Sequence, residues 1–421
     1  MSIRAMVRPI LTSTLTSTLL CFGLVLFCPV LHAQDVGADV GSGAGIFRPK
    51  NPETKKRAGK PPTTAARPTA SSSRPSTRVR ATPATADKVE ELLDKGNEFR
   101  DSRKFSEAES AYQSVLKIKP GDARAAYGLG NVYTDQQRWE SAEAAYRNAV
   151  LWNPSDVDAL VALSVVMVQP RTGASNAKRF ADAEAFARRA VQIDPKNAVA
   201  WDRLGVALQA RGTFNNETEH AYRHAVELDP QFAVAYVHLG RILKRIGRPA
   251  EAAPLYDQAV ALAKDAPTLN LIAESLQGEQ QWELSGPVLT RALALDARNP
   301  QSLTLMGRML LVLKRYQEAE PYLKTATEVS SQAFEPFNLL GRTYLALDRY
   351  ADAEKAYERA ASLAPAGDRK QLAGAFGFQG VGDGYLKASE RANAVRAYQR
   401  ALELDPGNKE LEQKLSRARS R

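Results

Sequence analysis

The sequence predicts an all-α solenoid of tandem helix-turn-helix repeats, and three observations carry that expectation. From residue 87 onward the chain repeats itself at a period near 34 residues, the length of one helical hairpin. Within each unit a small residue returns at fixed places, and a proline closes most units. The composition, 44% hydrophobic and 25% charged over 421 residues, belongs to a soluble globular or repeat protein with a large core.

In chain order, Arg4 and Arg8 precede an apolar run from Leu15 to Leu31 that ends Val30-Leu31-His32-Ala33 before Gln34. These are the three regions of a secretory signal peptide, expected over residues 1–33 with the cut after Ala33. The run is also near the lower length for crossing a bilayer, so an uncleaved anchor is the alternative. Neither Cys21 nor Cys28 follows Gly, Ala or Ser, which argues against lipoprotein processing. Cleavage would remove both cysteines, leaving no disulfide, Cys-ligated zinc or cysteine nucleophile. On either reading the repeats are expected outside the cytoplasm, periplasmic or secreted.

Residues 34–86 pass through Gly41-Ser42-Gly43-Ala44-Gly45, Pro61-Pro62-Thr63-Thr64 and Ser71-Ser72-Ser73-Arg74-Pro75 with almost no large apolar side chain. A segment of this kind buries too little surface to offset its ordering entropy, so it is expected to be a disordered basic linker. As a coil, these 53 residues would span roughly 40 Å. The net charge of +10 is concentrated here: residues 1–86 hold 12 Lys and Arg against Asp35, Asp39 and Glu53. Residues 87–421 carry 45 basic and 44 acidic side chains and are nearly neutral. The linker charge reads as solvation or as weak adhesion to an anionic membrane or cell-wall polymer. Nucleic acid is not an expected partner, because the folded part is not basic and export removes the chain from it.

The clearest unit is Trp201-x-x-Leu204-Gly205-x-x-Leu208 followed by Tyr222, Ala225 and Pro230. With this glycine at position 8, nine units begin at residues 89, 123, 157, 198, 233, 266, 300, 334 and 375, filling an array over residues 87–408. Position 8 reads Gly96, Gly130, Ser164, Gly205, Gly240, Ala273, Gly307, Gly341 and Gly382. Glycine is costly within a helix, so close approach of a second helix must be its reason. Position 20 is Ala, Ser or Thr, and position 27 is Ala in every unit except the first, which has Val115. Large side chains recur at position 11, such as Phe99 and Tyr133, and at position 24, such as Tyr112, Tyr146 and Tyr222, to fill the space these small residues leave. Pro120, Pro154, Pro195, Pro230, Pro365 and Pro406 end second helices. Ser106 and Glu109 are spaced to cap the second helix of unit 1. Phe105, Trp139, Phe180, Trp282, Tyr316 and Tyr350 recur at position 17 and are expected in the core.

These columns resemble the tetratricopeptide repeat. The resemblance implies a right-handed superhelical solenoid whose inner face is lined by the first helices through positions 2, 5, 9, 12 and 13. Unit 3 departs from it with about seven extra residues around Arg171 to Asn176, expected to bulge between its helices. Unit 6, with Ala273 and Ser285 at its signature places, and the insertion Asp368 to Gly374 before unit 9 also depart. Residues 409–421, with Leu411, Leu415 and Ala418 on one face, are expected to form a capping helix.

No catalytic constellation is found. His220 and His224 have the i,i+4 spacing of metal ligands, but Ala221 stands where a zinc-protease glutamate would be, so they read as surface histidines and no metal is expected. The glycines are spent at position 8 and form no phosphate loop, so no cofactor is expected either. What remains is a binding surface. Candidate peptide-binding residues on the inner face are Asn131, Arg203, Arg241, Lys244, Arg308 and Arg342. Packed helices lie roughly 8–10 Å apart, so Arg308 and Arg342 could reach acidic groups about three residues apart on an extended strand. An acidic or C-terminal-carboxylate peptide is one expected ligand; solvation, or pairing with Glu274 and Glu335, is the alternative. The family's carboxylate clamp is not carried over: Asn97 and Asn131 are present, but Leu93 and Ala162 stand where a lysine and an arginine would be needed. The expected function is a non-enzymatic protein-protein interaction scaffold outside the cytoplasm, or the same scaffold anchored in the inner membrane as an assembly subunit. Oligomeric state is left open.

Overall fold

A computed structural model describes residues 49–54, 83–169, 176–365 and 367–420. The signal segment, most of the linker, Arg171 to Ser175 and Arg421 lie outside the described residues. Among the described residues there are 19 α-helices, one short 3₁₀ turn and no strand, so the protein is an all-α solenoid of tandem hairpins with a terminal cap.

Unit 1 pairs helices Pro83–Asp101 and Phe105–Ile118, unit 2 Ala123–Asp135 and Trp139–Trp152, and unit 3 Val157–Met167 and Asn176–Ile193. Units 4, 5 and 6 follow as Ala198–Ala210 with Asn216–Leu228, Ala233–Arg245 with Pro249–Leu262, and Ala266–Gly278 with Trp282–Leu295. Units 7, 8 and 9 are Pro300–Val312 with Tyr316–Val329, Phe334–Ala346 with Tyr350–Leu363, and Phe378–Lys387 with Arg391–Leu404. Each first helix packs on its own second helix and on the first helix of the neighbouring unit, so first helices share one face.

The position-8 glycines have a specific neighbour. A Cβ on Gly96, Gly130, Gly205, Gly341 or Gly382 would lie within 2.4–2.6 Å of the position-24 tyrosine of its own unit. These are Tyr112, Tyr146, Tyr222, Tyr357 and Tyr398, each fully buried. In unit 3 the tyrosine is replaced by buried Ala187, and Ser164 stands at position 8. Tyr112 is gripped from both sides, because a Cβ on Gly128 of the next unit would meet it at 2.5 Å.

Helix boundaries follow from caps. Asp122, Asp156, Asn197, Asp265 and Asn299 accept backbone N–H bonds at the starts of first helices, so a Pro-x-Asx pattern ends one unit and caps the next in units 2, 3 and 4. In every unit except unit 3, whose turn lies outside the described residues, the turn rests on a left-handed residue at position 15: Arg103, Gln137, Gly212, Gly247, Gln280, Lys314, Asp348 and Ser389 all have positive φ.

Several expectations need amendment. Helix 1 begins at Pro83, ahead of the expected boundary at 87, with proline in the tolerated first-turn place. The Ser106–Glu109 capping box does not form, since the second helix starts at Phe105 with no side-chain cap. Glu109 instead accepts from Tyr133 and Arg138 of unit 2. In unit 3, Asn176 opens an 18-residue helix rather than closing the loop. The insertion before unit 9 forms a 3₁₀ turn, Arg369–Ala373, and delays the first helix of that unit to Phe378. The described position-17 aromatics are half-buried, flanking the core rather than filling it.

The cap Lys409–Ser420 buries Leu411 and Ala418, with Leu415 packed against the last core layer. Lys414 of the cap binds Asp383 at 2.6 Å and so ties it to the first helix of unit 9.

Candidate functional site: the first-helix groove

Positions 2, 9, 12 and 13 of units 1 and 2 converge on a single occupant, residues 49–54 of the chain itself. Asn131 at position 9 donates its Nδ2 to the Lys50 carbonyl at 2.9 Å. Asn97, at the same place in unit 1, donates to the Pro52 carbonyl at 3.1 Å. The two acceptors are alternate carbonyls of the segment, and their donors stand at the same position of adjacent first helices.

Both amides are oriented from below. Tyr146 donates its hydroxyl to Asn131 Oδ1 at 2.9 Å, and Tyr112 donates to Asn97 Oδ1 at 2.7 Å. Burial pushes both hydroxyls well above the ordinary phenol range, so they stay protonated donors. Each Asn oxygen is thereby occupied, and its NH₂ is presented to the groove. The position 8–24 packing pair thus also aims the position-9 amide.

Arg100 at position 12 is 1% exposed. Its Nε and Nη2 engage Asp135 at 2.7 and 3.1 Å, while Nη1 donates to the Pro49 carbonyl at 2.7 Å and to Asn51 Oδ1 at 3.0 Å. Asn51 in turn donates Nδ2 to Asp101 at 2.9 Å. Arg124 at position 2 is held by a two-point bond to Glu90 at 2.8 and 2.9 Å and reaches the Glu53 carbonyl at 3.2 Å. Arg100 is thus neutralised by Asp135, and Arg124 by Glu90 and, at 3.3 Å, Asp122, while Nη1 of each also meets a carbonyl of the segment.

Of the sequence candidates, Asn131 is in this site and the other five are not. Arg203 is nearly buried, with Nε 3.3 Å from Asp202 Oδ2, and Asp202 Oδ1 lies 2.7 Å from His238 Nδ1. Complete burial opposes the charge on Asp202, yet His238 and Arg203 outweigh it and hold the carboxyl below its usual value. Lys244 pairs with Glu279 at 2.9 Å, and Glu279 also takes the Tyr256 hydroxyl. Arg308 pairs with Glu335. Arg342 lies over the ring of Phe376, at position 2 of unit 9, at 5.3 Å. Arg241 is half-buried on the same face. His220 and His224 stack on each other and meet Trp201 edge-on.

Sequence reasoning missed Asp202 and His238, although an Asp within Trp201-Asp202-Arg203-Leu204-Gly205 at an inward position was a signal. It also missed an ion-pair ladder from the start of one second helix to the second helix of the unit before. Arg138, Arg179, Arg248 and Arg349 reach back to Glu109, Glu143, Glu219 and Glu320 of the preceding unit. Gly286 interrupts this ladder in unit 6, where a cleft of about 560 Å³ opens against Met306, Met309 and Leu313 of unit 7.

Tandem helical hairpins whose first helices share one face, here in contact with residues 49–54, define an α-solenoid. Tetratricopeptide-repeat family models match residues 93–165, 235–269 and 298–366. The chain is a tetratricopeptide-repeat protein, and proteins of this family mediate protein–protein interaction. No curated protein matches the chain. Among solved structures it is similar to MamA from Desulfovibrio magneticus RS-1, at 19% identity and a TM-score of 0.36 over 42% of this chain and 95% of that one. It is also similar to a thermophilic TPR protein of Thermus thermophilus, at 20% identity and a TM-score of 0.39 over 45% and 99%. A third is YrrB, described as a TPR protein with an unusual peptide-binding site, at 20% identity and a TM-score of 0.34 over 42% and 92%.

Proposed function

We propose that this protein is a non-enzymatic scaffold that works outside the cytoplasm and binds partner proteins through extended segments laid along its first-helix groove. The observation that supports this reading is the pair of asparagines, Asn97 and Asn131, holding alternate carbonyls of an extended segment. Main-chain recognition gives affinity for any extended chain, and the pockets between contacts give selectivity. An acidic partner segment remains part of the proposal for units 5 to 8, where it would have to displace Glu279 from Lys244 and Glu335 from Arg308.

The proposed location rests on the N-terminal segment, cleaved after Ala33 or retained as an inner-membrane anchor. No helix of the described residues is long and apolar enough to cross a membrane. The mass of the mature chain separates the two: a start at Gln34 means export, and an intact Met1 in a membrane fraction means anchorage.

The binding proposal is tested by capture from extract with the full chain as bait, beside an Asn97→Ala/Asn131→Ala variant of equal helicity. Specific partners lost from the variant are the expected result. Identical captured sets would place binding away from this groove and reject the reading.

A further inference from the structure

We infer that residues 49–54 are a built-in ligand that masks the groove of units 1 and 2, and that the partner admitted there carries an extended Pro-x-Asn-Pro segment that competes with it. The inference rests on the groove being a peptide site, and adds both the sequence it reads and the state in which it rests.

Selectivity follows from which parts of the segment are enclosed. Pro49 and Pro52 are buried, whereas the side chains of Lys50 and Glu53 are exposed. Proline suits both places, because its fixed φ favours extended chain and lowers the entropy lost on docking. Between them the Asn51 amide is read at both ends, as acceptor from Arg100 and as donor to Asp101. Aspartate at that place would set a carboxylate against Asp101, and an aliphatic side chain would remove a partner from each of two charged groups. A carboxamide carries the donor and the acceptor on two separate atoms, one for each partner, which a single hydroxyl does not, and the extra methylene of glutamine would push its amide past both. The exposed Lys50 position is therefore the unread x of the motif.

Masking follows from connectivity. The segment and the first helix of unit 1 belong to one chain, joined by residues 55–82. A tethered ligand competes at an effective concentration that reaches roughly millimolar, so with an intrinsic Kd of about 0.1 mM or tighter a free peptide of the same sequence should bind at least about tenfold more weakly than to an unmasked groove. Arg100 is the group most affected by opening. Its guanidinium is buried under the segment and gives Nη1 to Pro49 and Asn51. A partner must restore those bonds, which is why its own Asn is required.

The test uses fluorescence anisotropy of a labelled Pro-Lys-Asn-Pro-Glu-Thr peptide titrated into the full chain and into its Asn51→Ala variant, which leaves every groove residue intact. The expected result is binding at least about tenfold tighter to the variant, lost again when Asn131→Ala is added. A Pro-Lys-Gln-Pro-Glu-Thr peptide should bind the variant at least about tenfold more weakly than the Asn peptide, the size of one lost buried hydrogen-bonding partner. Equal affinity of the full chain and the variant would overturn masking, and equal affinity of the two peptides would overturn the amide reading. No binding of the Asn peptide to either chain would overturn the recognition sequence, while leaving the scaffold reading to the capture experiment. Concentration-dependent dimers of the full chain that vanish with Asn51→Ala would show the segment crossing to a second copy, which also overturns masking within one chain.

Discussion

Replacing Gly130 by alanine puts a single methyl group where the structure has no room. The added Cβ would lie 2.4 Å from the Tyr146 ring, against an ordinary carbon contact of about 3.5–4.0 Å, so the ring must retreat by roughly 1 Å. Tyr146 cannot retreat freely, being fully buried and bonded through its hydroxyl to Asn131. Overpacking of this kind costs about 1–3 kcal/mol, and the better helix propensity of alanine returns about 0.8–1 kcal/mol. Because the ring is pinned at both ends, the high end of the cost applies and the net loss should be about 2 kcal/mol. Urea denaturation combined with amide exchange of helix Ala123–Asp135 reads it locally, which matters because repeat arrays need not unfold in one step. The control is Gly278→Ala, where nothing lies within 4 Å of the new Cβ, and there stability should be held or slightly raised. The decisive arm repeats Gly130→Ala in a Tyr146→Ala background, where the same methyl group should become neutral or stabilising. An equal cost in both backgrounds would refute the packing argument.

Other expectations follow from the same geometry. Tyr146→Phe should leave the fold intact but weaken capture of extended peptide several-fold, because Asn131 loses the bond that orients it; unchanged binding by anisotropy would deny the orienting role. Asp202→Asn should cost about 3 kcal/mol near pH 7, since a buried charge cluster loses one partner. The folded carboxyl of Asp202 lies below its usual value, so its contribution is complete above the unfolded value of about 3.9 and is lost as pH falls through the folded one. The gap between wild type and variant in urea midpoint should therefore close below about pH 4, and a constant gap would contradict this. Gly286→Glu should stabilise by about 1 kcal/mol, from helix propensity and from a new partner for Arg315, with its Cβ at an ordinary 3.4 Å from Met309. Lys314→Gly should gain up to about 1 kcal/mol by relieving a left-handed residue, read as a higher thermal midpoint.

The repeat register was legible because its columns are enforced by contact: position 8 must be small where a position-24 ring lies against it, as Gly205 and Tyr222 show. Position 15 was not legible, since Arg103, Gln137 and Lys314 give no residue-type hint of positive φ; the tight turn imposes it. Positions 2, 5, 9, 12 and 13 were expected to line a groove, and charge was a poor guide to which of them meet residues 49–54: Asn131 does, and the five charged candidates do not. Arg308 meets Glu335, the pairing expected as the alternative to peptide binding, whereas Lys244 meets Glu279 of the next unit, which only the fold brings close. Residues 49–54 were hidden for a different reason. Their composition is that of a tether, and their order comes entirely from groove side chains more than 40 positions away, such as Asn97 and Arg100.

The measurement that tests the binding account most directly is site-specific photo-cross-linking in the full chain with a native extract. A benzoylphenylalanine replacing Arg241 or Arg308 on the first-helix face should capture partner protein, whereas the same group replacing Glu140, exposed on a second helix, should not. Partner captured from Glu140 and absent from both groove positions would contradict the claim that this solenoid works through its first-helix groove.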